Sequence, residues 1–384
     1  MTKLEQLIEE LCPNGVERKS IGEICDICRG RVMSKDYISE NKGEYPVYSS
    51  QTENNGELGR IATYDFDGEY LSWTTDGANA GTVFYRNGKF SVTNVCGLLK
   101  VKNDGLLTKY LYYTLNTEAP NHVNSGMGNP KLMSNVMAKI TIPIPPLPVQ
   151  EEIVRILDAF TELTAELTAE LTARKKQYEH YTYQLLNFDD TVNTLELRDL
   201  IDFRNGKGHE KDIVGDGKYI VVNSKFISTD GEVKKYSNKQ ICPLYIDDIL
   251  MVMSDLPNGR ALAKCYLVTE DDKYTLNQRI GAFHVKDESV IITKFLLYVL
   301  NRNHQLLRYD NGVDQTNLRK DDILDIMIPV PSIEEQERIV AILDRFDTLC
   351  NDISAGLPAE IEARQRQYEY YRDKLLTFKE LIAN

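Results

Sequence analysis

The sequence of 384 residues is 42% hydrophobic, carries a formal net charge of −13 and has seven cysteines scattered along its length. This length is too great for one ordinary domain, an odd number of dispersed cysteines is unlike a disulfide framework, and no apolar run approaches the roughly 18 residues that span a bilayer. The acidic balance argues at first against nucleic-acid binding, although the placement of charge on one face matters more than the total.

The first 16 residues are predicted to form an N-terminal helix. Leu4, Leu7, Ile8 and Leu11 fall on one face of it, and the rest of the stretch is largely polar and acidic. The segment lacks the basic and apolar regions of a signal peptide. We therefore expect a cytoplasmic protein with reduced cysteines and no membrane partner.

An internal duplication organises the remaining chain. Residues 140–160 align without gaps on 326–346, with 12 of 21 positions identical, and residues 174–186 align on 364–376, with 7 of 13 identical. The offset rises from 186 to 190, so the second copy has four extra residues between these blocks. The chain is thus predicted to contain two copies of one structural unit.

Each copy ends in a predicted long helix, because its apolar residues recur at intervals of three and four. Residues 149–186 contain no Pro or Gly and would form a rod about 57 Å long. The second copy contains Gly356 and Pro358, so we predict a break there, with Pro358 opening the next helical segment. Rods of this length need a partner, which favours an intramolecular antiparallel coiled coil over two separate core helices. The residues predicted to line it are Leu163, Leu167, Leu171, Leu349, Ile353, Leu357 and Ile361.

The segments that precede these helices also correspond, although they are more diverged. Gly30 lies nine positions after Ile21, and Gly206 lies nine positions after Leu197. Residues 108–116 resemble residues 293–301, and both stretches are predicted to form a short helix. Between them lie β-branched and aromatic runs broken by Gly, Asn and Asp, which are typical of strands and turns. The predicted fold class is α+β: two mixed α/β domains at 17–147 and 191–333, each followed by a long helix at 148–190 and 334–384, with pseudo-twofold symmetry.

Several short motifs stand at matching places in the two copies. They are the proline-rich entries IPIPPLPVQEEIV and IPVPSIEEQERIV, the helix ends RKKQYEHY and RQRQYEYY, the tandem Thr-Ala-Glu-Leu tetrads at 164–171, and the opening LCPNG at 11–15. With these motifs the whole chain resembles the specificity subunit of type I restriction-modification enzymes. The resemblance implies two target-recognition domains that read the two parts of a split double-stranded DNA site with a nonspecific spacer.

The same resemblance implies partners and cofactors. The helices would dock two modification (methyltransferase) subunits, which carry S-adenosylmethionine for adenine methylation, and restriction (translocase/nuclease) subunits, which use ATP and magnesium, would join them. The chain itself would bind no cofactor. It would direct these partner subunits to their DNA target.

The residues themselves give no sign of catalysis, so no catalytic residue is predicted. The stretch 206–208 (GKG) lacks the Ser or Thr of a phosphate-binding loop, and 129–132 (NPKL) is not the Asn/Asp-Pro-Pro-aromatic motif of an adenine methyltransferase. Three alternatives stay open: a protein-only coiled-coil adaptor, the recognition subunit of a related enzyme that cuts on both sides of its site, and a self-sufficient methyltransferase.

No metal site is expected either. Cys25 and Cys28 have the spacing of half a zinc site, but zinc needs four ligands and no second close Cys or His pair exists. Their counterparts in the second copy are Ile201 and Arg204, which cannot serve as the same site. We expect these cysteines to be ordinary core or surface residues.

Polar loops supply the candidates for DNA contact. Base edges are read by amides, hydroxyls and guanidinium groups, and phosphates are bound by Lys, Arg, Ser, Thr and backbone amides. In the first domain the candidates are Ser49, Ser50, Gln51, Thr52, Asn54, Asn55, Trp73, Thr74, Thr75, Asn79 and Lys131. In the second domain they are Asn223, Ser224, Lys225, Arg260, Gln278, Arg279, Gln315, Thr316, Asn317 and Arg319. The alternative for the first set is solvated turns with Trp73 as a core anchor.

Overall fold

The computed structural model describes residues 2–126, 128–256, 261–352 and 354–381. The chain divides into two units: unit 1 is Met1–Glu170 with Ala359–Asn384, and unit 2 is Leu171–Pro358. The candidates Arg260 and Ile353 lie outside the described residues. None of the described helices is both long and apolar enough to cross a membrane.

Unit 1 combines short strands with helices at both ends of its chain. Its strands are β1 Glu17–Ser20, β2 Cys25–Arg29, β3 Lys42–Tyr48, β4 Glu57–Ile61, β5 Phe66–Asp67, β6 Tyr70–Thr74, β7 Val83–Arg86, β8 Lys89–Val92, β9 Cys96–Val101 and β10 Thr141–Ile144. Its helices are α1 Lys3–Leu11, α2 Ile21–Ile24, α3 Lys35–Glu40, α4 Thr108–Glu118, α5 Ser134–Met137 and the first part of α6 Leu147–Leu186.

Unit 2 contains the rest of α6 and repeats the plan of unit 1. Its further helices are α7 Leu197–Leu200, α8 Ser224–Ser228, α9 Thr293–Leu300, α10 His304–Leu307, α11 Lys320–Leu324 and α12 Ile333–Asn351, and α13 Leu357–Leu375 then leads back into unit 1. Its strands are β11 Thr194–Glu196, β12 Ile201–Asn205, β13 Ile213–Val214, β14 Tyr219–Val222, β15 Tyr236–Ser237, β16 Ile249–Val252, β17 Ser254–Asp255, β18 Cys265–Leu267, β19 Tyr274–Leu276, β20 Ile280–Val285, β21 Thr316–Asn317 and β22 Met327–Pro329.

The antiparallel sheets of the two units have the same strand order, and the second sheets share a parallel pair of strands. An antiparallel sheet runs β2-β9-β6-β7 in unit 1 and β12-β20-β16-β18 in unit 2. A second sheet, β4-β3-β8-β5 or β13-β15-β14-β19, contains one parallel pair, β3 with β8 or β14 with β19. Each antiparallel sheet packs on its short helix, α4 or α9, and on the start of a long helix, α6 or α12, to form the main core of its unit. The predicted mixed α/β class is therefore confirmed.

A buried glutamine attaches each long helix to its own domain. The side chain of Gln150, which is 0% exposed, accepts from Leu107 N at 2.9 Å and donates to the carbonyls of Gly105 at 2.9 Å and Pro145 at 2.8 Å. Gln336, also 0% exposed, makes the same three contacts with Ile292 N, Val290 O and Pro331 O at 2.8–3.0 Å. Both amides are thus buried with their hydrogen bonds satisfied.

Two turns along, an aspartate makes a second repeated contact. Asp158 accepts from Lys109 Nζ and from the Tyr113 hydroxyl, both at 2.6 Å. Asp344 accepts from Lys294 Nζ at 2.6 Å and from the Tyr298 hydroxyl at 2.7 Å. The helix that follows each domain is therefore fixed by the same polar contacts in both copies, which explains why these positions match in the sequence.

Within each unit the long helices pair antiparallel, as predicted. In unit 1 the rings of Phe160 on α6 and Tyr371 on α13 stack with centroids 5.6 Å apart. In unit 2 Tyr178 and Tyr181 of α6 lie 6.1 and 5.5 Å from Phe346 of α12. Of the predicted coiled-coil residues, Leu357 is buried, Leu163, Leu167, Leu171 and Ile361 are half-buried, and Leu349 is 36% exposed, whereas its neighbour Cys350 is fully buried.

The predicted break in the second helix is confirmed. α12 ends at Asn351 and α13 begins at Leu357, with Pro358 in its first turn, where a missing backbone N–H costs nothing. The Asp352 carboxylate accepts from the backbone N–H of Ser354 at 2.7 Å and of Ala355 at 3.2 Å. Local hydrogen bonds thus satisfy the backbone at the break.

Candidate nucleic-acid interface

In both units the candidate loops follow a pair of parallel strands. In unit 2, Val222 of β14 lies beside Leu276 of β19, so the segments after them, 223–225 and 277–279, meet at one edge of the sheet. In unit 1, Tyr48 of β3 lies beside Val92 of β8, and the segments after these strands begin at Ser49 and Thr93. The carboxyl ends of parallel strands share one edge, which is where open α/β sheets bind ligands.

The backbone is equally close at this edge in both units. Thr93 N donates to Tyr48 O at 2.9 Å, and Asn277 N donates to Val222 O at 3.1 Å. A Cβ atom on Gly30 would lie 1.8 Å from Val92 O, and one on Gly206 would lie 1.9 Å from Asn277 O. Only glycine fits there, so the two glycines that match in the sequence hold equivalent positions.

Unit 2 forms a polar cleft of about 460 Å³ at this edge. It brings together five of the candidates with three residues that sequence reasoning left out; its lining is Glu210, Asn223, Ser224, Lys225, Lys235, Asn277, Gln278 and Arg279. Amides, a hydroxyl and three cations surround a single carboxylate. This combination suits contacts to base edges and phosphates.

All three amide side chains in the cleft are already engaged, and that of Asn277 accepts from Gln278 N at 2.7 Å. The Asn223 side chain accepts from Phe226 N at 2.9 Å and caps α8, which is a common role of Asn at a helix start. The Gln278 amide donates to Glu210 Oε1 at 3.1 Å. Lys225, Lys235 and Arg279 are exposed, so the three cations of the cleft are accessible to a ligand.

The remaining candidates of unit 2 that the structure describes form a second polar patch, which does not line this cleft. β21 pairs with β17, so that Asn317 lies opposite Ser254 and Thr316 opposite Asp255. The Gln315 amide donates to Ser254 Oγ at 2.8 Å. Gln315, Asn317 and Arg319 are exposed, and Thr316 is half-buried.

The equivalent loop of unit 1, residues 49–56, is closed on itself. Ser49 N donates to Gly56 O at 2.9 Å, and the Ser49 and Thr93 hydroxyls are 2.9 Å apart. The Gln51 amide donates to Glu57 O at 2.6 Å, while Asn79 Nδ2 donates to Thr52 Oγ1 at 3.2 Å. The structure therefore brings the predicted loop and Asn79 together.

The outer part of loop 49–56 faces solvent. Thr52, Asn54 and Asn55 are exposed, and Ser50 is half-buried. Asn54 and Asn55 have φ of 48° and 52°, in the left-handed region that Asn tolerates better than most residues. Their amides are thus available to a ligand.

Three candidates of unit 1 must be corrected. Trp73, Thr74 and Thr75 are at most 2% exposed, because β6 is an inner strand of the antiparallel sheet. Trp73 Nε1 donates to Leu132 O at 2.9 Å, Thr75 Oγ1 donates to Val95 O at 2.8 Å, and the Thr74 hydroxyl donates to Asn79 O. These side chains support the loops from inside, and Trp73 is the core anchor of the alternative interpretation.

Lys131 lies exposed beside the same loops. Its Nζ is 3.6 Å from Asp76 Oδ2, and its backbone exchanges two hydrogen bonds with Asn124 at 2.9 and 3.0 Å. Leu132 N then donates to Thr75 O at 3.0 Å, as Leu318 N donates to Met253 O at 2.8 Å in unit 2. Lys131 thus occupies the place that Asn317 has in the second copy.

Sequence reasoning missed four residues at these edges. Glu210, Lys235 and Asn277 line the cleft of unit 2, and Arg86 lies under loop 49–56. Asn277 could have been found as the first residue after a strand, next to Gln278. The other three come from distant parts of the chain, and nothing in their local sequence marks them. Among the described residues, no group of three or more His, Cys, Asp or Glu could hold a metal ion.

The chain matches known proteins over nearly its whole length. The family model described as "Type I restriction modification DNA specificity domain" matches residues 13–174 and 189–363. A protein of Mycoplasma pneumoniae named as a putative type I specificity subunit is 35% identical over an alignment of 383 residues, covering 94% of this chain and 97% of the relative. A second one, named as an N-terminus, is 54% identical over 180 residues, which are 45% of this chain and 96% of the relative.

A solved structure has the same fold. The S subunit of a type I restriction-modification system from M. genitalium superposes with a TM-score of 0.59 at 16% identity, covering 94% of this chain and 96% of that one. Both copies of the duplicated plan match the family model, and the aligned relative spans nearly the whole chain. The chain therefore belongs to the family of type I restriction-modification DNA specificity subunits.

Proposed function

We propose that this chain reads a bipartite double-stranded DNA target, one part with each unit, across a nonspecific spacer. The observation that carries the proposal is that both units place polar loops at the carboxyl ends of an equivalent parallel strand pair, but with different side chains. A common scaffold with different residues at one edge suits two readers of different sequence.

The chain would act by placement and not by chemistry of its own. Two modification subunits, bound along α6, α12 and α13, would supply S-adenosylmethionine and methylate adenine near the bound site. Restriction subunits would supply the ATP- and magnesium-dependent reactions. Family membership supports a complex of this kind, because a specificity subunit functions only together with subunits that act on the selected DNA.

The charge distribution predicts how strongly the chain binds alone. Residues 141–190 carry four basic and nine acidic side chains, and residues 326–384 carry seven and eleven, so nine of the thirteen excess negative charges fall in the segments that contain the long helices. The isolated chain offers little neutralisation of phosphates and should bind DNA weakly. Specific binding should require the modification subunits.

Exchange of one domain tests the proposal. Residues 17–139 are replaced by the corresponding segment of another family member, and the chain is expressed with its modification subunits. Single-molecule sequencing of the methylated DNA should show that one half of the motif changes while the other half and the wild-type control motif do not. A change of both halves would refute separate reading. A complex with no salt-dependent, sequence-selective retention on DNA would instead indicate a protein-only adaptor.

A further inference from the structure

Arg86, the last residue of β7, is a buried cation without a carboxylate partner among the described residues. Its side chain is 2% exposed, and its Nε donates to Ser72 Oγ at 2.9 Å. Within the described part of the chain, neither Nη1 nor Nη2 has a hydrogen-bond acceptor in good geometry. Burial lowers the pKa of Arg86 to about 10, so it stays protonated at neutral pH. A buried cation without a carboxylate is costly and rare.

Aromatic rings hold this guanidinium in one orientation. The Tyr48 ring lies 3.5 Å and the Phe84 ring 4.6 Å from Arg86 Cζ. Stacking of this kind stabilises the cation through its faces and leaves its N–H edges uncommitted. The two terminal nitrogens therefore form a preorganised fork, which is the geometry that binds paired acceptors.

Loop 49–56 covers the fork from the side of the candidate interface. A Cβ atom on Gly56 would lie 3.1 Å from Arg86 Nη2, and Gly56 has a φ of +76°. The backbone hydrogen bond from Ser49 N to Gly56 O closes the loop. Its exposed residues Asn54 and Asn55 have the left-handed backbone conformation. The segment that covers the Arg86 guanidinium is thus a short loop with little apolar core of its own.

The fold does not require a cation at this position. In unit 1, Arg86 follows Tyr85, which pairs with Leu71 of β6. In unit 2, Leu267 pairs with Ile249 of β16. The next residue, Val268, is fully buried. An apolar residue therefore fills the equivalent place, so the charge of Arg86 serves something other than packing.

We infer that Arg86 is a concealed DNA-contact residue. When DNA binds, loop 49–56 lifts and Nη1 and Nη2 of Arg86 donate to a pair of acceptors on the DNA. The pair is either two oxygens of one phosphate or O6 and N7 of a guanine, which share the same bidentate chemistry. This inference rests on the proposed function, since it names one residue with which unit 1 reads its half of the target.

The test uses the chain assembled with its modification subunits, in wild-type form and as R86L, R86K and the control R18L. R18L removes a half-buried arginine of the same unit, whose Nη2 donates to Thr141 O at 2.7 Å. R86L should have a Tm equal to or above that of the wild type, because an apolar residue replaces an unpaired buried charge. Its affinity for target DNA should fall about tenfold or more. R86K keeps the charge without the fork and should lose affinity as well.

Two further measurements distinguish a phosphate acceptor from a guanine acceptor. Loss that is uniform across DNA sequences, with a salt dependence weakened by about one phosphate contact, identifies the phosphate. Relaxed identity at one position of the half-site read by unit 1, with the other half unchanged, identifies guanine. R86K with wild-type affinity and motif, or R86L with a lower Tm and unchanged DNA binding, overturns the inference. A wild-type complex without any sequence preference overturns the proposed function, and the inference with it.

Discussion

Glu152 on α6 is a carboxylate that the fold buries while its partners remain in solvent. Its side chain is 3% exposed, whereas those of Lys3 and Arg155 are 69% and 65% exposed. Arg155 Nη2 donates to it at 2.7 Å and Lys3 Nζ at 2.8 Å. These hydrogen bonds, that of Arg155 first, lower the pKa of Glu152 from 4.5 to about 2. The contact also ties α1 to the long helix.

This shift predicts a pH dependence of stability. Because the folded pKa is depressed, the ionised carboxylate stabilises unit 1 above pH 4.5, and the contribution is lost as the pH falls towards 2. E152Q should lower the free energy of unfolding at pH 7 by about 1 kcal/mol, a small value because solvent screens both cations.

Urea unfolding at several pH values measures this effect. The difference between the wild type and E152Q should shrink between pH 4.5 and 2, while E151Q, at an exposed neighbouring position, should behave as the wild type throughout. A difference that is constant over this range would show that the ionised form of Glu152 has no special stabilisation.

Single residues are also the level at which the sequence predicts functional positions least well. Asn223, Lys225 and Arg279 line one cleft, and the sequence marks them only as amides and cations in polar loops. Trp73 and Thr74 were misjudged because hydroxyl and indole groups look the same in sequence whether they face solvent or a backbone carbonyl. Their burial depends on which strands flank β6, and those pairings join residues far apart in the chain.

At the scale of elements, the break between α12 and α13 depends on Gly356. A Cβ atom there would lie 2.4 Å from Thr348 O and 2.8 Å from Asp352 O, and both are backbone atoms that cannot move alone. G356A should therefore lower the free energy of unfolding by about 1–3 kcal/mol through overpacking. Urea unfolding followed by circular dichroism measures this, with A355G as the control at the adjacent exposed position. If helix propensity and not the clash controlled the break, G356A would stabilise the protein and A355G would destabilise it, because Ala favours helix more than Gly does.

Elements differed in how well sequence predicted them. The long helices and their break followed from a sustained apolar period, Gly and Pro, which act locally. The repeated Gln150 and Gln336 were visible as identities, but their role was hidden, since it depends on backbone groups 43 and 44 residues away in the chain. Sheet order was equally hidden, because strand pairing is set by long-range packing.

At the scale of the whole molecule, the duplication explains both the constancy and the variation of the chain. The contacts of Gln150 and Asp158 recur at Gln336 and Asp344, so the attachment of helix to domain is under one constraint in both copies. The loops at the sheet edges share only their position. Under the proposed function, this division would let the loops change the target without altering the surface that the partner subunits bind.

The tandem Thr-Ala-Glu-Leu tetrads at 164–171 lie in the middle of α6, between Gln150, which is anchored in unit 1, and Tyr178, which packs in unit 2. One more tetrad after Leu171 adds about 6 Å of helix and rotates the remainder of α6 by only about 40°, so the apolar stripe stays nearly in register. If α6 sets the distance between the two readers, the nonspecific spacer should grow by one or at most two base pairs, at about 3.4 Å each, with both half-sites unchanged.

Sequencing of the methylated motif in cells that express the insertion variant measures the spacer. A three-residue insertion is the matched control, because it turns the stripe by about 60° in the opposite direction and should damage assembly more than the longer insertion does. If only the added length mattered, the four-residue insertion would damage assembly more than the three-residue insertion. This comparison therefore separates the effect of helical register from that of distance. Full activity of the tetrad variant with an unchanged spacer would show that α6 does not determine the separation of the half-sites.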